Sequence, residues 1–244
     1  MLRALLTLTV FAVCAASARA GNMDLSEVVF SAGVTTPDDN NWQGLHLLAP
    51  NIPNPLHLPL SGGLGASQSS ADVDLAWASS FAAFLMQSRQ QAAGQASGFV
   101  RTSASGTIWI TSSEDLLLSI DASWTFDLPA WQMGSSLGVG VAAVGSPVPL
   151  FSESVYGQPE WPGGLSDTIT ISGQVVLPAG QTWIIGYGME LQTERETQGL
   201  MATGSGYVDL QITPEPATAL PLALTLCAMS RRRHRGVRTA TRLS

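Results

Sequence analysis

From Leu116 to Asp127 apolar and polar residues alternate. Even positions carry Leu116, Leu118, Ile120, Ala122, Trp124 and Phe126, while odd positions after Leu117 carry Ser119, Asp121, Ser123, Thr125 and Asp127. A period of two over twelve residues predicts a strand with one buried face. The same test selects Ile108 and Ile110, then Leu137, Val139, Val141 and Ala143. It also selects Ile169, Ile171, Val175 and Leu177, then Trp183, Ile185, Tyr187, Met189 and Leu191, and finally Val208, Leu210 and Ile212. Breaks are expected at Leu128-Pro129, Gly145 to Pro147, Pro159 to Gly164, Pro178 to Gly180 and Gly204 to Gly206. Short strands punctuated by glycine and proline predict an all-β fold, an antiparallel β-sandwich or jelly roll.

The segment from Asp72 to Gly94 carries alanines and a Gln87-Ser88-Arg89-Gln90-Gln91 run that a helix would accept. Val73, Leu75, Trp77, Phe81, Ala83 and Leu85 nevertheless occupy alternate positions, and one or two strands are expected. Residues 21–69 have a different texture. Pro37 to Trp42 has turn composition, Pro50 to Pro59 is rich in proline, and Ser61 to Ser70 is rich in glycine and serine. This stretch reads as an extended arm and linker of polyproline-like backbone, with one strand at Leu25 to Phe30, leaving the sandwich to residues 70–213.

The two ends of the 244-residue chain differ from this body. Residues 1–20 have a positive start at Arg3, an apolar stretch from Ala4 to Ala16 and the small-residue pattern Ala18-Arg19-Ala20, the layout of a secretory signal peptide cut after Ala20. The apolar run is short of the ~20 residues of a spanning helix. Near the other end an apolar segment from Ala219 to Met229 is followed by Arg231, Arg232, Arg233 and Arg235. Such a segment enters the bilayer while the arginines stay on the cytoplasmic side.

Pro214-Glu215-Pro216, then a short apolar helix, then the arginine cluster at the C-terminus, resembles the PEP-CTERM sorting signal of secreted bacterial proteins. The resemblance implies recognition by exosortase, a membrane-embedded protease, with Pro214, Glu215 and Pro216 as the motif and Arg231, Arg232, Arg233 and Arg235 as membrane-retention charge. Residues 214–244 would then be the sorting signal, in transient contact with the membrane, and the protein would be secreted or held at the cell surface. Residues from about 97 to 213, with Ser105 to Ile110 and Leu177 to Trp183, are similar to the bodies of planctomycete-like PEP-CTERM proteins, which implies a β-sandwich.

Charge divides along the same lines. The formal net charge is −7, but residues 21–213 hold 17 Asp and Glu against Arg89, Arg101 and Arg195, a net of −14. A body so acidic repels phosphate backbones and excludes a nucleic-acid partner. Both cysteines, Cys14 and Cys227, lie in the end segments, so the body has neither a disulfide nor a thiolate.

Candidate chemistry is sparse. His46 and His57 are the body's only histidines, read as loop imidazoles, and no Gly-x-Ser-x-Gly elbow or phosphate-binding loop occurs. Asp38-Asp39, Asp72 with Asp74, and Glu114-Asp115 offer oxygen ligands of the kind calcium takes. None has the ordered spacing of a calcium loop; they read as solvated turn residues, and no cofactor or metal is expected. No catalytic set emerges, and a non-enzymatic protein is expected. Flat aromatic rings are what sugar-binding sandwiches present to pyranoses, and Trp109, Trp131 and Trp161 are the candidate contacts for an extracellular polysaccharide, the alternative reading being a carbohydrate-binding module.

Overall fold

The computed structural model describes residues 23–95, 98–194 and 197–215. Among the described residues, twelve antiparallel strands make two six-stranded sheets. In chain order they are β1 (Met23–Thr35), β2 (Asn40–Leu48), β3 (Leu56–Leu64), β4 (Ser67–Ala78), β5 (Phe81–Ala93) and β6 (Val100–Ser112). They continue with β7 (Leu116–Leu128), β8 (Met133–Ala143), β9 (Phe151–Gly157), β10 (Leu165–Leu177), β11 (Thr182–Thr193) and β12 (Met201–Pro214). The front sheet has the order β2-β1-β6-β11-β8-β9 and the back sheet β10-β7-β12-β5-β4-β3. Strands β5 to β12 alone form two four-stranded sheets, 6-11-8-9 and 10-7-12-5, which is the double Greek key of a jelly roll. β1 to β4 add a strand pair to one side of each sheet. The β-sandwich expected from the alternation is the observed architecture.

The alternating residues face inward as the period requires. Leu118, Ile120, Ala122, Trp124 and Phe126 of β7 are buried against Ile185, Tyr187, Met189 and Leu191 of β11 and their neighbours in one continuous core. At its centre Phe30 and Phe84 stack at 5.4 Å, and Phe84 meets Tyr187 at 5.0 Å. Tyr187 has room because residue 106 is glycine; a Cβ there would lie 1.9 Å from the phenolic oxygen. Trp124 likewise sits over Gly204, where a Cβ would come within 2.3 Å of the indole. This explains why Gly204-Ser205-Gly206 is the middle of β12 and not the expected break.

Two further expectations change. Residues 21–69 are no arm: β1, β2 and β3 are full strands of the two sheets, and β4 already begins at Ser67. The proline- and glycine-rich composition suits edge strands. Pro59 lies on β3, whose outer side has no ladder partner among the described residues to need its missing N–H. Gly62 comes so close to the front sheet that a Cβ would stand 2.4 Å from Asn41 O. In β5 the inward face is Ala82, Phe84 and Met86, not Phe81, Ala83 and Leu85, because apolar residues occupy both faces of that strand. Asp72–Gly94 does form the two strands expected of it.

Met23, which opens β1, and Pro214, which closes β12, lie at the same end of the sandwich. Met23 N–H donates to Ser79 O in the β4–β5 turn, and Pro214 closes β12 opposite Leu116, the first residue of β7. Ala18, Ala20, Pro216 and Arg231, Arg232, Arg233 and Arg235 lie outside the described residues.

Tyr187 Oη has no hydrogen-bond partner among the described residues, and burial pushes its phenol pKa well up. Tyr187→Phe should therefore stabilise the protein by about 1 kcal/mol, whereas Gly106→Ala should cost about 3 kcal/mol through overpacking. Urea unfolding of the two variants measures both signs.

Candidate functional site

The outer face of the front sheet carries small residues where most sandwich surfaces carry charge. One rung across all six strands reads Trp42, Gly33, Ser103, Glu190, Ser136 and Tyr156, from β2 to β9. The next rung, toward the end where the chain enters and leaves, reads Gly44, Ser31, Ser105, Gly188, Gly138 and Ser154. The pattern follows from the alternation: in Leu137-Gly138-Val139-Gly140-Val141 and Ile185-Gly186-Tyr187-Gly188-Met189 the large residues turn inward and glycines remain outside. A floor of glycine and serine between taller walls is a groove, here of about 510 Å³.

The walls are aromatic. Trp42 on one edge strand is 42% exposed, Tyr156 on the other 76%, and Phe99 in the β5–β6 loop 40%. Trp42 lies flat on the sheet because its neighbour is Gly33, whose Cβ would be 2.5 Å from the indole. Its Nε1–H donates to Thr35 Oγ1 at 2.9 Å, which fixes the ring in that pose. Phe99 follows Gly98, whose φ of +148° favours glycine and lets Pro37 of the β1–β2 turn pack on it. Between the walls Arg101 Nη2 meets Glu190 Oε2 at 2.5 Å.

The floor is pegged from below by polar contacts between the sheets. Gln90 of β5, buried, donates from Nε2 to Met189 O at 2.9 Å and accepts at Oε1 from Thr102 Oγ1 at 3.1 Å. Ser69 Oγ donates to Ser103 O at 2.8 Å. Trp124 Nε1–H donates to Ser135 Oγ at 2.6 Å, and that hydroxyl donates to Glu190 O at 3.2 Å. Residues 102, 103, 189 and 190 are thus held from beneath at the point where the Arg101–Glu190 pair stands above. Buried groups so paired are rigid, because leaving any one unmade costs roughly 1–3 kcal/mol.

The three tryptophans selected from sequence divide. Trp109 is half-buried on this same outer face, between Glu27 and Ile184, three rungs from Trp42. Trp131 and Trp161 lie in the β7–β8 and β9–β10 loops at the sandwich end opposite Met23 and Pro214. They meet edge to face at 5.0 Å, with Trp161 72% exposed. Sequence reading missed Trp42, Tyr156 and Phe99; the available signal was the run of small residues on the polar side of β6, β8 and β11. His46 and His57 are on edge strands, not loops, and each ring meets a carboxylate of the adjacent strand at 2.7 Å, Glu27 and Asp74 respectively. No cluster of three metal-ligating side chains occurs among the described residues. Of the acidic turns, Asp39 receives the Asn40 amide and Asp115 the Ala179 amide, each at 2.7 Å.

A second groove, about 1060 Å³, crosses the outer face of the back sheet. It is lined by Ser70, Arg89, Gln91, Thr125, Asp127 and Ser205 among others, and the one aromatic among its described residues, Phe126, is buried. It offers hydrogen bonds without a stacking platform.

No family model matches the chain, and no curated protein matches it. Among solved structures it is similar to a CBM4 structure, at 15% identity and TM-score 0.25 over 59% of this chain and 78% of that one. It is also similar to the Eiger TNF of S. frugiperda, at 10% identity and TM-score 0.26 over 52% and 91%, and to a structure of infectious bursal disease virus, Gx strain, at 11% identity and TM-score 0.25 over 88% and 70%. Likeness at this level carries no functional weight, and function is read from the chain's own residues.

One electrostatic feature stands apart from the front groove. On the outer back sheet Asp209 of β12 faces Asp121 of β7 directly across the ladder. Burial pushes the Asp209 carboxyl pKa up; a long hydrogen bond from Gln211 Nε2, 3.5 Å, opposes the shift, and the Asp121 charge adds to it. The folded state therefore holds the Asp209 proton more tightly than the unfolded chain does. The resulting stability is present at acid pH and lost as pH rises through the raised value. Asp209→Asn should raise stability at neutral pH by about 0.5 kcal/mol, with the gain vanishing toward about pH 3; thermal melts across pH check it.

Proposed function

We propose that this protein is a secreted, surface-displayed β-sandwich that binds an extracellular polysaccharide without cleaving it. The observation that carries the reading is the front groove: exposed rings at Trp42, Tyr156 and Phe99 around a floor of glycine and serine, with one ion pair in the middle. Sugars have apolar faces that stack on such rings and hydroxyls that need both donors and acceptors. Glu190 is the sole carboxylate among the described residues of the groove, and it is engaged by Arg101. Glycoside hydrolysis by the usual route needs two carboxyl groups flanking the scissile bond. That contrast favours binding over catalysis.

Delivery follows the terminal signals. The N-terminal segment directs export, and the segment from Pro214 is the exosortase signal that retains the precursor at the membrane until it is processed. Pro214 is still part of β12 and pairs with Leu116, so bonds upstream of it are in the sheet ladder. The exported chain should accordingly begin at Gly21 and end after Pro214, keeping β12 whole, as intact-mass spectrometry of the surface fraction would report; a tail intact to Ser244 would overturn the sorting reading. For binding, Trp42→Ala and Tyr156→Ala should each weaken retention on insoluble polysaccharide about tenfold, the loss of about 1.4 kcal/mol of stacking. Trp161→Ala should leave it unchanged; pull-down isotherms compare them.

A further inference from the structure

We infer that the front groove is built for an extended, uncharged polysaccharide chain lying across the strands, and that it rejects uronate-rich chains; this rests on the glycan-binding reading above. The direction comes from the placement of the rings. Trp42 and Tyr156 share one rung at opposite edges of the front sheet. Five interstrand steps of ~4.8 Å put the two edge strands ~24 Å apart. A ligand that uses both platforms therefore spans the whole sheet, longer than a mono- or disaccharide reaches. Between them lie only Gly33, Ser103, Glu190 and Ser136, low enough for a chain to rest on the floor. A chain running along the strands would instead meet Trp109 and Ile184 as an obstruction in the middle strands.

The choice of an uncharged ligand comes from the ion pair. Arg101 is the only cation among the described lining residues, and Glu190 already neutralises it at 2.5 Å. A uronate carboxylate would have to displace Glu190, leaving that carboxylate, half-buried, without its partner. It would do so in the field of a body carrying −14. A neutral sugar needs no displacement, since neighbouring hydroxyls can donate to Glu190 and accept from Arg101 while the pair stays intact. The pose of Trp42, held by Thr35 and seated on Gly33, and the pegged floor mean that little ordering is required on binding.

The test is calorimetry on the protein isolated from the surface fraction, with neutral oligosaccharides of increasing length and with polygalacturonate. Affinity should keep rising past a trisaccharide, change little with salt, and exceed that for polygalacturonate by more than about tenfold. For the longest neutral probe Trp42→Ala and Tyr156→Ala should each cost about tenfold, with both variants melting like the parent; for a disaccharide no probe molecule can lose both contacts. Affinity that saturates at a disaccharide, or a preference for polygalacturonate, overturns this inference while leaving glycan binding standing. Absence of binding to every probe overturns the glycan-binding reading itself.

Discussion

Aromatic rings packed between the two sheets join them, Phe84 of the back sheet against Phe30 and Tyr187 of the front sheet, and the rest of the molecule depends on that contact. With no cysteine in the body, the sandwich is held by burial and hydrogen bonds alone. Tyr187 over Gly106 and Trp124 over Gly204 each seat a ring on a glycine of the neighbouring strand in the same sheet, filling space that any side chain at the glycine would occupy. Phe126 lies against Gly157 of the edge strand β9 in the same way, which ties that edge to the core. Interiors are packed to near-crystalline density, so each ring and its glycine act as one unit.

The same device works on the outside. Trp42 over Gly33 is a ring on a glycine with its other face in solvent, which turns a packing solution into a platform. The inward rings and outward groove are coupled through the strands, because glycines that alternate with Val139, Val141, Tyr187 and Met189 give the core its volume and the surface its floor. Trp124 belongs to both systems: its ring fills the core while its Nε1–H, through Ser135, holds the strand that carries Glu190. A groove built this way is as rigid as the core beneath it.

The jelly-roll order explains why the groove reaches from edge to edge. β2 and β9 lie 114 residues apart in the chain at their groove residues, Trp42 and Tyr156, yet they bound the same sheet because β1 and β2 extend the β6 side of the front sheet. Edge strands elsewhere in proteins are blunted to prevent pairing with other chains. Here proline, short length and exposed aromatic side chains mark the edges, with Pro59 on β3 and only seven residues in β9.

What the sequence determined by itself was everything that depends on period. Alternation over β7, β8, β10 and β11 specified strands, their inward faces and an all-β antiparallel class, because side-chain direction in a strand is set by position alone. It chose the wrong inward face where both faces are apolar, as in β5, and misled where composition outweighed period, as in β2 and β3, whose prolines and glycines suit edges that only the assembled sheet defines. The candidate tryptophans show the same limit. Trp131 and Trp161 were correctly placed in loops, but their contact, the shared face of Trp109 and the groove, and the pairing of Trp42 with Tyr156 across one rung all depend on strand order. Strand order is decided by long-range burial, and no local pattern records which strands meet.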